Sequence, residues 1–261
     1  LALAHEGPDT VRVETWRERL GALLPGAELV GGLFFPYVAR QCDNAAANAF
    51  LVEQVSTQPG SRGLVIATPA MSEKDGAALL GHKGIIGFKP YHCYAAREDT
   101  ANAAVNEYVP EWVWRLCHEH GGIFMLHLVM PGALSDPANL ETLLRNCRAY
   151  PNAKLVLAHA ARGFHAPNTV RAIGRLRGLE NVWFDTSAVC EATPLLAILE
   201  TFGPRKLMWG SDFPVCFQRG RCVTAGDGFF WLGPEHIDAS SMFAPRLALV
   251  GLEELRALAD A

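Results

Sequence analysis

The sequence predicts an α/β fold, a (β/α)8 TIM barrel with its first strand missing or truncated at the N-terminus. Three observations carry that prediction. Short apolar runs alternate with longer periodic or Ala/Leu-rich stretches along the whole chain, the pattern of a parallel sheet with helical crossovers. The runs are continuously apolar, as strands buried on both faces must be. The length, 261 residues, matches the roughly 250 that one such barrel takes. No interior boundary or linker is visible, so residues 1–261 are expected to form a single domain.

The strand candidates are "ELVGGLFF" (28–35), "GLVIAT" (63–68), "GIIGFK" (84–89), "GIFMLHLV" (122–129), "KLVLAHA" (154–160), "NVWFDTS" (181–187) and "KLMWGS" (206–211). Helices are predicted at 10–24, 43–56, 72–81, 100–121 with a bend near Pro110, 136–150, 166–178, 193–203 and 244–259. Ser72, with Asp75 three residues on, forms a weak relative of a capping box. Asp136 followed by Pro137 reads as an N-cap with proline at the first helical position. The chain thus opens on a helix, and the eighth strand of a closed barrel would have to precede residue 10, where only the stub "LALAH" stands. A doubly wound open sheet is the rival, but it usually carries a glycine-rich phosphate loop after its first strand, and no GxGxxG or GxxxxGK occurs.

Composition narrows the function. Half of the residues are hydrophobic, and 24 Gly and 16 Pro are spread along the chain, which fits a folded enzyme-like domain. A formal charge of −4 without a charge block favours neither nucleic acid nor an anionic membrane as partner. The seven cysteines are scattered, with no CxxC pair, so free thiols in a reducing, cytoplasmic compartment are expected. No apolar run is long enough to span a bilayer, and "LALAHEGP" lacks the cationic start of a signal peptide. The expected partner is a small molecule, with room left for a homodimer.

In such a barrel, chemistry collects at the C-terminal strand ends. Five consecutive ends each deliver an ionisable residue: Lys89 in "GFKPYH", His127 in "FMLHLVMP", His159 in "LVLAHAARG", Asp185 in "VWFDTS" and Asp212 in "MWGSDFP". Singly, each has a plain reading. A strand-end histidine is commonly a packed core residue, Asp185 can cap a turn with Thr186 and Ser187, and Lys89 can snorkel to the surface. Burying any of them unpaired costs several kcal/mol, and one explanation covers the set: they converge on a common polar centre. Two neutral imidazoles and a carboxylate suit Zn²⁺ or a similar divalent ion with an open water position, which makes His127, His159 and Asp212 the candidate ligands.

These stretches resemble the amidohydrolase superfamily, specifically the amidohydrolase-related (amidohydrolase-2) family of hydrolases, lactonases and nonoxidative decarboxylases. "GIIGFKPYH", "FMLHL", "LVLAHAARG", "NVWFDTS" and "KLMWGSDFP" take the places of barrel strands four to eight. The resemblance implies that His127 is a metal ligand, that His159 binds metal or polarises the substrate or water, and that Asp212 touches the metal and takes the proton of the attacking water. It also implies an HxH pair on strand one. None stands at the start of this chain, where "AHE" at 4–6 offers one His and a Glu. The cofactor expected from the resemblance is therefore a divalent metal, Zn first, with its absence from this form left open. The pair in "HEH" (118–120) falls at the C-terminal end of a predicted helix, on the face away from the chemistry.

Lys89, flanked by Pro90 and Tyr91, is expected to contact a substrate carboxylate, with His92 as a weaker pocket candidate. Arg162 and His165 in "HAARGFH", and Arg219 and Arg221 in "CFQRGR", are expected in loops on the same face, where arginines clamp planar carboxylates. Asp185 completes the substrate-binding set. The reading is a metal-dependent hydrolase opening a lactone or amide bond of a small carboxylate-bearing substrate. Its alternatives are a nonoxidative decarboxylase of an unsaturated or aromatic acid, and a catalytically incomplete barrel that binds a small acid or a partner.

Overall fold

The structure, a computed structural model, describes residues 10–238, 240–241 and 246–261. Parallel strands follow one another in chain order: β1 (Leu33–Phe34), β2 (Arg62–Ala67), β3 (Ile85–Pro90), β4 (Ile123–Leu126), β5 (Lys154–Leu157), β6 (Val182–Asp185) and β7 (Leu207–Met208). Each is hydrogen-bonded to the next, and β7 is not paired with β1. The sheet is an open half-barrel, a (β/α)8 barrel lacking one closing strand. The "LALAH" stub, with His5 and Glu6, lies outside the described residues.

Both faces of the sheet are covered, which explains the unbroken apolar runs. On β2, Leu64 faces the barrel interior with Met125, Val156 and Ala158, while Val65 and Ala67 join the larger core under the helices. The strands pass closely where glycine allows it. A Cβ on Gly87, whose φ is +159°, would lie 1.6 Å from the Ile123 carbonyl oxygen on β4, so this crossing admits no side chain.

Helix ends follow their capping chemistry. Asp43 accepts the Ala45 and Ala46 N–H groups, Ser72 accepts Asp75 N–H, and Asp136 accepts Ala138 and Asn139 N–H with Pro137 at the first helical position. The bend expected near Pro110 is a break. One turn ends at Tyr108 and a new helix, Glu111–His120, starts after Pro110 as its N-cap, because proline has no N–H to continue the ladder. The first helix, Val13–Leu23, buries Val13, Trp16, Leu20 and Leu23 against Phe34 of β1 and against Trp209, Phe213 and Cys216 after β7. It therefore bridges, from outside, the two ends of the sheet that do not meet.

A feature absent from the sequence reading is the antiparallel hairpin of β8 (Arg221–Ala225) and β9 (Gly228–Leu232). Its turn is Gly226–Asp227, with Gly226 at φ +60°, a two-residue connection of the kind that needs positive φ. Phe229 and Trp231 of β9 pack on Phe164, seating the hairpin beside the strand ends. No helix among the described residues is long and apolar enough to cross a membrane.

Candidate active site at the strand ends

Lys89 is the next-to-last residue of β3 and is buried, 2% exposed. Its Nζ lies 4.6 Å from the Phe35 ring centroid and 5.7 Å from that of Tyr91. Among the described residues no carboxylate comes within ion-pair distance of it. Burial pushes the amine down to about 8, against the pull of Asp185 and Asp212 towards the charged form. The Tyr91 phenol is pushed well above its ordinary value, by burial first and Asp212 second.

His127 follows β4 directly. Its ring meets those of His159, Tyr91 and His92 at centroid distances of 4.9, 5.4 and 5.9 Å. Burial, reinforced by His159 and by the cations Lys89 and Arg162, drives its pKa well below the usual imidazole value, so His127 is neutral. His92 is also pushed down by burial. Its Nδ1 lies 3.0 Å from the Thr100 carbonyl, which only accepts, so Nδ1 carries the proton and Nε2 a lone pair.

After β5 the chain departs from the expected strand. Residues 159–162 have φ of 56°, 51°, 59° and 62°, a left-handed turn without glycine. Each such residue costs about 1–2 kcal/mol. Hydrogen bonds hold it in place: His159 N–H donates to Asp185 Oδ1 at 2.8 Å, Gly163 N–H to the His159 carbonyl at 2.6 Å, and the Thr169 hydroxyl to the Ala160 carbonyl at 2.7 Å. The turn swings His159 and Arg162 towards the mouth of the half-barrel. Strain of this kind gathers at functional sites.

Asp185, at the end of β6, anchors the centre. One oxygen, Oδ1, accepts His159 N–H, Ser187 N–H at 3.0 Å and the Ser187 hydroxyl at 2.5 Å. That hydroxyl in turn lies 2.9 Å from His159 Nδ1, as does the Ser187 carbonyl. Since Ser187 gives its proton to Asp185 and the carbonyl only accepts, His159 must carry its proton on Nδ1. Its Nε2 is left as a base or ligand. Sequence reading found Asp185, His159 and the turn that Asp185 caps with Ser187, but not that Ser187 also reaches His159. It also missed Glu254, fully buried on the helix Val250–Ala259, which receives the Thr186 hydroxyl at 2.6 Å and Ala188 N–H at 3.2 Å. Nothing in the sequence separates that glutamate from its neighbour Glu253, which pairs with Arg221 and Arg256 instead.

Asp212 is not at a strand end. β7 stops at Met208, and Asp212 lies four residues on with φ 44°, its carbonyl accepting Val215 N–H at 2.7 Å. His127 and His159 are brought together, yet among the described residues no three His, Cys, Asp or Glu side chains form a group able to hold a metal ion. The set His127, His159 and Asp212 does not therefore fit zinc by itself. Arg162 faces the centre, half-buried, with its guanidinium 5.5 Å from the Phe229 ring. Arg219 is placed elsewhere: exposed, it donates to the Leu247 carbonyl at 3.1 Å. Arg221 belongs to β8 and not to a loop, and it pairs with Glu253 at 3.6 Å and the Cys190 carbonyl at 3.1 Å.

A protein-family model described as Amidohydrolase (Amidohydro_2) matches residues 20–237. The chain belongs to the amidohydrolase family. Among solved structures, this amidohydrolase-family chain is similar to an amidohydrolase from Burkholderia multivorans with bound HEPES, at TM-score 0.60 and 17% identity, over 83% of this chain and 77% of that one. It is similar also to a probable 2-pyrone-4,6-dicarboxylic acid hydrolase from Acinetobacter baumannii with citric acid bound, at TM-score 0.57 and 18% identity, over 82% and 78%. A dihydroxybenzoic acid decarboxylase from Polaromonas sp. with bound manganese and an inhibitor matches more loosely, at TM-score 0.47 and 18% identity, and the chain spans 64% of its length. At such identities the likeness is one of fold. No curated protein matches.

Proposed function

We propose that this amidohydrolase-family chain binds a small carboxylate-bearing acid at the mouth of its half-barrel, and that its described residues form the acid-binding and proton-handling part of a hydrolase or decarboxylase site. On those residues alone it is a catalytically incomplete barrel. The observation that supports this best is Lys89, a buried ammonium at a strand end with aromatic walls and no ion-pair partner among the described residues. A substrate carboxylate gives that amine the counter-charge it lacks, and binding raises its proton affinity. His159 Nε2, its tautomer fixed through Ser187, accepts a proton or hydrogen-bonds a polarised oxygen beside it. Asp212 acts as the mobile acid or base.

Completed by further donors, a divalent metal would supply an activated water and a polarised carbonyl, and opening of a lactone or amide bond is the reaction we favour. The same groups would serve nonoxidative decarboxylation by delivering a proton to carbon. The test is calorimetric titration of the chain with citrate, at pH 7 and without added metal. Binding that weakens about tenfold or more in Lys89→Met, without measurable turnover of a lactone, amide and carboxylic acid panel, is expected. Equal affinity in Lys89→Met refutes the carboxylate role, and turnover by the chain alone refutes its incompleteness.

A further inference from the structure

The β8–β9 hairpin has one edge turned to the protein and one left bare. Its two-residue turn pairs Ala225 with Gly228, and the register runs unbroken from there to Arg221 with Leu232. In such a ladder the pair beside the turn exchanges both hydrogen bonds, and every second pair after it does the same. The pairs between, Thr224 with Phe229 and Cys222 with Trp231, therefore point their main-chain groups away from each other. On the β8 side Thr224 N–H donates outward to Glu191 Oε1 at 3.0 Å, and Arg219, just before the strand, bridges Leu249. On the β9 side the N–H and C=O of Phe229 and Trp231 have no hydrogen-bond partner among the described residues.

Edges of this kind are ordinarily blunted by a charge, a proline or a bulge. The stretch Gly228–Leu232, GFFWL, contains none of them. Its inner face is taken, since Phe229 and Trp231 pack on Phe164. Phe230, on the other face, is 44% exposed.

A second copy of β9 complements this edge. With Phe230 opposite its own copy, Phe229 faces Trp231 across a two-fold axis, and the bare N–H and C=O groups of both strands satisfy one another. A shift of two residues would call instead on Asp227 in the turn, or on Gly233, whose N–H already donates to His236 Nδ1 at 3.0 Å. Charge favours the same register. It sets Asp227 opposite Gly233, and it holds the two copies of Asp227 about 20 Å apart, six residues along the strand. The central pair is a close, non-hydrogen-bonded one with Cα atoms about 4.5 Å apart, so the exposed Phe230 rings cover each other as a stabilising cross-strand pair.

We propose that β9 pairs antiparallel with β9 of a second copy, Phe230 on the two-fold axis, joining two hairpins into one four-stranded sheet. One strand edge is a small interface, so the dimer forms and dissociates with concentration. The pairing is independent of the acid-binding role proposed for Lys89.

The test is sedimentation equilibrium of the full chain from low to several hundred micromolar, with amide hydrogen exchange at both ends of that range. A monomer–dimer equilibrium is expected. The Phe229 and Trp231 amides should gain protection as the dimer fills, while those of Phe230 and Leu232, bonded within the hairpin, should be protected throughout. Phe230→Lys and Phe230→Glu each set like charges opposite one another and should raise the dissociation constant about tenfold or more. An equimolar mixture of the two should restore the dimer as a heterodimer. The proposal falls if the wild type stays monomeric, if its Phe229 and Trp231 amides exchange alike at both concentrations, if either variant alone dimerises like the wild type, or if folded variants fail to pair when mixed.

Discussion

Replacing Glu254 by Gln should abolish a pH dependence of stability built into the floor of the site. Burial pushes this carboxyl from its ordinary 4.5 up to about 8, outweighing the hydrogen bonds from Thr186 and Ala188, and Asp185 and Asp212 push it the same way. The folded state thus binds the proton more tightly than the unfolded one. The stability this gives is complete below about pH 4.5 and is lost as pH rises through the folded-state value near 8. At about 1.4 kcal/mol for each tenfold in proton affinity, the loss amounts to as much as about 5 kcal/mol. Glu254→Gln keeps the size and an acceptor oxygen but cannot ionise. Urea unfolding followed by circular dichroism from pH 5 to pH 8 should show the wild type losing stability relative to the variant as pH rises, with the variant the more stable at pH 8. Parallel slopes for the two proteins, or a variant weaker than the wild type at pH 8, would refute the reasoning.

Lys89→Met should stabilise the fold at neutral pH by up to about 3 kcal/mol, because burial holds the wild-type amine near 8 against 10.5 when unfolded. The wild type recovers that difference only as pH rises from about 8 to 10.5, and urea midpoints across that range decide it. Asp185→Ala strands three buried donors and should cost roughly 3–5 kcal/mol. Asp185→Asn, which still accepts, should cost about 1–2 kcal/mol by the same melts. Ala161→Gly, which would cost about 1 kcal/mol in a right-handed helix, should be neutral or stabilising at φ 59°. A loss of that size would mean that the turn is not left-handed in solution.

What could be read in the sequence depended on length and on burial at both faces. The six-residue strands β2 and β3 were legible within a residue at either end, since nothing competes with a run of buried aliphatics. The run at 28–35 shrank to Leu33–Phe34 because Gly31 and Gly32 interrupt it. "KLVLAHA" was read as strand to residue 160, but Asp185 captures the His159 N–H and turns the chain left-handed, a long-range event that no local pattern records. The hairpin had a usable signal, "RCVTAGDGFFWL", with a Gly-Asp turn between β-branched and aromatic residues. The hairpin takes the place of the loop expected around Arg221. Lys89, His127, His159 and Asp185 could be found as ionisable residues in apolar runs. Glu254 and the link from Ser187 to His159 could not, because burial and partner geometry define them.

The unmet ends of the sheet bear on how the chain behaves among its copies. An open β-sheet offers rows of unpaired amides that can template intermolecular strand addition and aggregation. Here both outer strands, Leu33–Phe34 and Leu207–Met208, are two residues long, and Trp16 and Leu20 of the bridging helix pack where a neighbour's side chains would have to enter. The half-barrel thus keeps its opening without presenting a long adhesive rim, a form of colloidal protection gained by brevity.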